Sequence, residues 1–388
     1  MQSAPPKEEI TGGHKIEISD NIKWQTDRVA PKRKDMFGKT KSLFLIVASM
    51  LCMASCDSIR EDLPRCELWL EFVFDYNMEY ADAFNPQVKS VDVLVFDSDD
   101  KLLFTKSAEV AALVGGNRMS LTDELDFGSY KVLTVGSLSD RFRLSDNAGN
   151  KLAPGTSTLQ QVIVSLKRET DVVNFEFQHL YFGEVVEVDH LPSSTDHKIY
   201  PVNLIRDTNR FNLALMGYEE NKVDGTQYTF EIQAPENAVY SWENEPAGQG
   251  PVTYVPYYTG PGEISDVVMS ARLNTMRLLN RSGWDYKFII RDANTEAEVW
   301  SYNLMTLLSI ARPVSRYDGT ELPFQEYLDR QSEWNLIFTV VEKTEEDSFK
   351  LVLSWGTGFI GSTGWKFKNE KKAITYHLSG IHHPFVLM

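Results

Sequence analysis

The sequence predicts a mainly β protein, built as two tandem β-sandwich domains with a few short helices. Three observations predict it. From Leu63 onward the apolar residues alternate with polar ones at a period of two, as half-buried strands require. The apolar runs are short and separated by turn residues, the pattern of a sandwich. A polar stretch, Asp189-His190-Leu191-Pro192-Ser193-Ser194-Thr195-Asp196, divides the strands into two series and reads as a linker.

In the first series, Leu68, Leu70, Phe72, Phe74 and Tyr76 share one face, and Glu67, Trp69, Glu71, Val73 and Asp75 the other. Val91 to Phe96 is the next strand, closed by the turn Asp97-Ser98-Asp99-Asp100. Tyr130 to Val135, Val162 to Leu166 and Val172 to Phe177 complete the first domain, residues 67–190. The second domain, residues 199–388, opens with one strand region made of Val202 to Ile205 and Arg210 to Met216. Tyr228 to Gln233, Thr253 to Tyr257, Val267 to Leu279 and Tyr286 to Ile290 follow. Asn303 to Ala311 and Phe324 to Gln331 read as short helices. Trp334 to Val341 and Phe349 to Trp355 are the late strands, and an atypical tail begins at about residue 356.

The 388 residues are 42% hydrophobic, enough apolar side chain to fill real cores. The formal net charge of −16 gives no long-range attraction for phosphate backbones, so nucleic acid is not an expected partner. The three cysteines, Cys52, Cys56 and Cys66, are too few and too clustered for a disulfide framework or a structural zinc site. They belong instead to an address. Ser42 to Met53 is an uncharged apolar run, too short to span a bilayer at about 20 residues. Lys39 and Lys41 precede it. Met53, Ala54 and Ser55 followed by Cys56 match a bacterial lipobox, in which the cysteine thiol is alkylated by diacylglycerol and the chain is cut before it. Acylation of the new amino group adds a third chain. At about 0.8 kcal/mol per buried methylene, several acyl chains make a stable anchor.

Residues 36–55 are therefore expected to be a signal peptide, with Cys56 the lipid-attachment site and 56–66 the lipidated tether. Residues 1–35 are polar and precede Met36, which opens a conventional signal; they read as a misassigned start or a disordered leader. Cys66 is expected to be a small buried hydrophobe. Asp57, Glu61 and Asp62 follow the lipidated cysteine and resemble a surface-export signal.

No catalytic residue, metal ligand or cofactor is expected. Gly356 to Gly361 fits G-x-G-x-x-G but lacks the helix and the acidic residue that a dinucleotide site needs, and reads as a turn. His377, His382 and His383 have no carboxylate or thiolate at helical spacing. Asp97, Asp99 and Asp100 lack the glycine and closing glutamate of a calcium loop and read as a solvated turn. The G-x-S-x-G, H-E-x-x-H and C-x-x-C motifs are absent.

Cys56 to Cys66 and the block Phe74-Asp75-Tyr76-Asn77-Met78-Glu79-Tyr80-Ala81-Asp82-Ala83-Phe84 resemble the FimB-like fimbrial anchor lipoproteins of Bacteroides-type bacteria, the type V fimbriae. Supporting echoes are Val93 to Asp97, Leu204 to Phe211 and Phe324 to Gln331. The resemblance implies two transthyretin-like sandwiches and a non-enzymatic role at the base of a surface fimbria. It also implies that the protein holds the fibre on the outer membrane through lipid. The implied partner is a fimbrial stalk subunit, a fimbrillin, joined by strand complementation. The tail after Trp355 departs from the family's closing strand. Two other functions stay open: a surface adhesin binding host protein or glycan, with Tyr254, Tyr257 and Tyr258 as an aromatic candidate, and an envelope hydrolase with a dispersed site.

Overall fold

A computed structural model describes residues 67–191, 197–217, 223–248, 250–262, 267–315, 319–343 and 349–355. The chain is mainly β, with several sheets and three short helices among the described residues.

The first sheet is built around β1 (Leu68–Val73), β2 (Ser90–Phe96), β3 (Leu102–Glu109), β4 (Arg118–Ser120) and β5 (Gly128–Gly136). It also takes β9 (Tyr181–Gly183), β10 (Val186–His190) and β11 (Lys198–Arg206). The order is β3-β2-β5-β9-β11-β1-β4, with β10 pairing β5. Alternation does the folding: Leu68, Leu70 and Phe72 of β1 point into one core with Val91, Val93 and Val95 of β2 and Val202 and Leu204 of β11. Each such side chain contributes about 1.5–3 kcal/mol by leaving water.

The second half is a sandwich. One sheet orders β16 (Tyr258–Gly260), β17 (Val267–Met276), β12 (Thr208–Gly217), β20 (Glu333–Lys343) and β21 (Phe349–Trp355). The facing sheet orders β19 (Glu298–Asn303), β18 (Lys287–Asp292), β13 (Tyr228–Ala234), β15 (Val252–Tyr254) and β8 (Val172–Val173). Rings lock the two layers: Phe338 of β20 stacks on Phe288 at 4.9 Å and tilts against Phe230 at 5.9 Å. A small sheet, β14 (Val239–Ser241), β7 (Ile163–Leu166) and β6 (Phe142–Ser145), covers the outer face of the first sheet. The larger core therefore runs from Leu94, Phe96 and Leu133 of the first sheet through to Phe211 and Phe338 of the second half.

Several boundaries differ from the sequence reading. Val202 to Ile205 lies in the first sheet, apart from Arg210 to Met216. It belongs to β11, which pairs in parallel with β1 and antiparallel with β9. The change of sheet comes at Asp207, between β11 and β12, and not at 189–199. Period-two alternation marks a strand without naming its partner. Asp189 and His190, read as linker, close β10 against β5. β7 and β8, expected in the first domain, pair with β14 and β15 of the second. The two expected helices are present and shorter, α2 at Leu304–Ser309 and α3 at Phe324–Arg330. A further single turn, α1 (Phe84–Gln87), was not expected. Gly225 lies beside the start of β17, where an added Cβ would sit 2.1 Å from the Val268 carbonyl oxygen; only glycine fits there.

Candidate functional site

Cys56, the lipobox residues Met53, Ala54 and Ser55, and Asp57, Glu61, Asp62 and Cys66 lie outside the described residues. So do Gly356 to Gly361 and the three C-terminal histidines. The described fold begins at Glu67. Glu67 precedes β1. Its backbone carbonyl accepts from Lys198 N–H at 2.9 Å, and its carboxylate takes the Trp69 indole N–H at 2.9 Å and faces His197 at 3.0 Å. The eleven residues from Asp57 to Glu67 reach at most about 40 Å when extended.

The second construction is the junction between the halves, where three separate sequence blocks meet. The loop after β1 is shaped by its own polar side chains. Asn77, buried, donates to the Phe74 and Ala81 carbonyls at 3.0 and 2.8 Å, and Asp82 accepts from the backbone N–H of Phe74 and Phe84. Tyr80 is held at φ 54°, the left-handed region that a bulky residue rarely enters. The loop presents Tyr76 and Tyr80 to Arg330 of α3, whose guanidinium lies 4.1 and 4.3 Å from the two ring centres. Arg330 also donates to Glu326 at 2.7 Å and to the Asn77 carbonyl at 3.2 Å.

Arg206, at the end of β11, crosses the same junction. It is buried over the rings of Phe74 and Tyr181 and donates to Gln87 of α1 and to Ser332 ahead of β20. Within the second half, Arg277 after β17 makes a two-pronged pair with Asp329 of α3, Nε to Oδ1 at 2.7 Å and Nη2 to Oδ2 at 2.9 Å. Burial opposes the Arg277 charge, but the Asp329 hydrogen bonds and the nearby Asp207 outweigh it and hold the guanidinium protonated. Asp207 is fully buried; burial pushes its carboxyl up to about 7, against the pull of Arg277 and of the Asn244 amide that donates to Oδ1 at 2.9 Å. Among the described residues its Oδ2 has no hydrogen-bond partner.

These groups are packed in protein, and they pair cations with rings and carboxylates rather than a nucleophile with a base. Arg206 and Arg330 link the two halves, while the Arg277–Asp329 pair braces the second half beside them. Among the described residues no group of three or more histidines, cysteines or carboxylates is placed to hold a metal, and no helix is long and apolar enough to cross a membrane. An open groove of about 550 Å³ between Asn85, Lys89, Glu109 and Val110 contains one carboxylate, not a converging pair. Asp97 closes its own turn by accepting from Asp99 and Lys101 N–H, and Asp100 pairs with Lys131 at 2.6 Å, as a solvated turn would. The aromatic candidate divides: Tyr254 is buried with its hydroxyl on Asn237, and Tyr258 is exposed.

The Tyr76, Arg206 and Arg330 blocks are far apart in the sequence and meet only in the fold. A usable signal was present: Arg206-Asp207 and Arg277 are charges embedded in apolar strand ends, Leu204-Ile205 and Met276-Leu278-Leu279, where an unpaired charge is not tolerated.

Residues 63–371 match the family model of fimbrillin-A associated anchor proteins Mfa1 and Mfa2. The chain matches none of the curated proteins. Among solved structures, a candidate adhesin from Bacteroides ovatus is 91% identical, with a TM-score of 0.74, over 78% of this chain and 96% of that one. A candidate polysaccharide-binding protein from Bacteroides thetaiotaomicron is 30% identical, with a TM-score of 0.63, over 74% and 96%. The fimbrial anchor protein Mfa2 of Porphyromonas gingivalis shares the fold, with a TM-score of 0.54 at 15% identity over 74% and 97%. The chain thus belongs to the family of fimbrillin-A associated anchor proteins Mfa1 and Mfa2, with a fimbrial accessory or adhesin role at the cell envelope.

Proposed function

We propose that this protein is a non-enzymatic fimbrial anchor, held on the outer membrane by lipid on Cys56 and coupled to a fimbrial stalk subunit, a fimbrillin, by strand complementation. The observation that carries the reading is the combination of a lipobox ending at Cys56 with a family match that begins at residue 63, so that the address and the anchor fold are separated only by a short tether. A fibre subunit joined by backbone pairing has no hold on a bilayer, and one member must carry hydrocarbon. The described fold leaves β21 as the last strand of its sheet, with the residues after Trp355 following it, and a row of unpaired backbone groups is a natural dock for an added strand. The division into two sandwich units is part of this reading, with its boundary moved to Asp207. Acidic Asp57, Glu61 and Asp62 direct the protein to the outer face.

The test of the address is a Cys56→Ala variant followed with metabolic acyl label and detergent partitioning. Loss of label and of membrane partitioning supports the reading; a variant that still carries label and still partitions into detergent overturns it. A second reading, a tip adhesin, is favoured by the two similar structures described as a candidate adhesin and a candidate polysaccharide-binding protein. Binding of the purified protein to host glycan or matrix protein, with fimbriae still cell-attached in a deletion strain, would select it.

A further inference from the structure

β1 and β11 run side by side in the same direction through six paired residues, from Leu68 opposite Lys198 to Val73 opposite Asn203. On its other edge β1 pairs antiparallel with β4. Both β1 and β11 start where the tether enters, next to the Lys198–Glu67 backbone bond. They are left at opposite ends. The tether joins β1 at its beginning, whereas β11 runs from its far end through Asp207 directly into β12 and the second half. The far end of β1 also points to the junction, through the loop whose Tyr76 and Tyr80 hold Arg330.

We propose that the parallel β1–β11 pair is a load-bearing clamp, placed so that tension between the membrane and the second half shears it. In that geometry every inter-strand hydrogen bond is strained together and none yields first. In a peeling geometry the same bonds break one after another from the end. The direction of load rests on the anchor reading above; the mechanical property is a feature of the fold alone.

The sequence is consistent in detail. β11 contains Pro201, which has no N–H to give. Lys198 donates its N–H to β1, and in a strand alternate residues turn the same way, so Tyr200 and Val202 also face β1. Pro201 faces away, and the ladder that bears the load keeps its donors. Leu68, Leu70 and Phe72 of β1, each fully buried, keep the pair dry on its inner face, and Arg118 donates across β1 and β4 to Glu71 at 2.7 Å.

The experiment is single-molecule stretching of the full chain, with Cys52, Cys56 and Cys66 replaced by Ser and handles on two introduced cysteines. Glu67→Cys with Gln227→Cys, the latter on the exposed turn beside the end of β12 remote from the junction, loads the pair in shear. Glu67→Cys with Lys198→Cys grips the two strands at their adjacent starts and peels them. Rupture is governed by the unfolding rate under load, and the first event in shear is expected at about twice the peeling force or more. Equal forces, or a lower force in shear, would overturn the clamp. No membrane or fimbria enters the measurement, so its failure is distinct from a failure of the anchor reading, which the Cys56→Ala assay decides.

Discussion

The start of β1 and the region beside the junction each hold an ion pair, in opposite settings. At the tether end Glu67 meets His197 at the surface, with both side chains well exposed. Beside the junction, within the second half, Arg277 meets Asp329 with 13% and 6% of the side chains exposed. A surface pair exchanges water for a partner at little net gain. A buried pair has already lost its water, so each member depends on the other. The buried pair therefore contributes to stability only as a pair, whereas either member of the surface pair can be lost at small cost.

Breaking the buried pair should have the largest effect. Asp329→Asn keeps the shape but removes the carboxylate that pairs with the buried Arg277 charge, and should cost about 3–5 kcal/mol in denaturant unfolding. Adding Arg277→Met to it should restore much of that loss, because the buried charge goes with its partner. A single-variant loss below 1 kcal/mol, about that of a surface pair, would erase the contrast.

Asp207 gives the junction a pH signature. Its carboxyl is pushed from the usual 3.8 up to about 7, so between those values the folded state binds more proton than the unfolded one. Stability from this group is therefore highest below about pH 4 and falls as pH rises to about 7, by at most roughly 4 kcal/mol. Asp207→Asn should remove this slope and be neutral or stabilising at pH 7. A variant with the same slope as the parent between pH 4 and 7 would assign the titration elsewhere.

Arg330→Ala should cost about 1–3 kcal/mol, since it removes two ring contacts and the Glu326 bond together. Arg330→Lys should recover little of it, because an ammonium lacks the flat fork that lies between two rings. The smallest effect is expected at the other region: Glu67→Ala should change stability by less than about 0.5 kcal/mol.

Why these residues were hard to read follows from the same contrast. Alternation in Leu68 to Phe72 and the apolar run Val91 to Phe96 made β1 and β2 legible, because facing a core is a local property of a strand. The pairing of β11 with β1 joins residues about 130 positions apart, and nothing local in Lys198 to Arg206 announces it. The short strands β4, β9 and β14 have three residues each, too few for a period to register. The junction was half legible: its blocks stood out, but only folding brings Tyr76 to Arg330. The lipobox remains a reading of Met53 to Cys56 alone, since recognition there acts on the linear chain before it folds.

The central claim is that Cys56 ties a fimbria to the cell. It is tested most directly by restoring a deletion strain with either the parent chain or Cys56→Ala and measuring the fimbriae shed into the medium against those on washed cells. The account predicts cell-attached fibres with the parent and released fibres, of unchanged subunit amount, with Cys56→Ala. Fibres that stay on the cells with Cys56→Ala would contradict it.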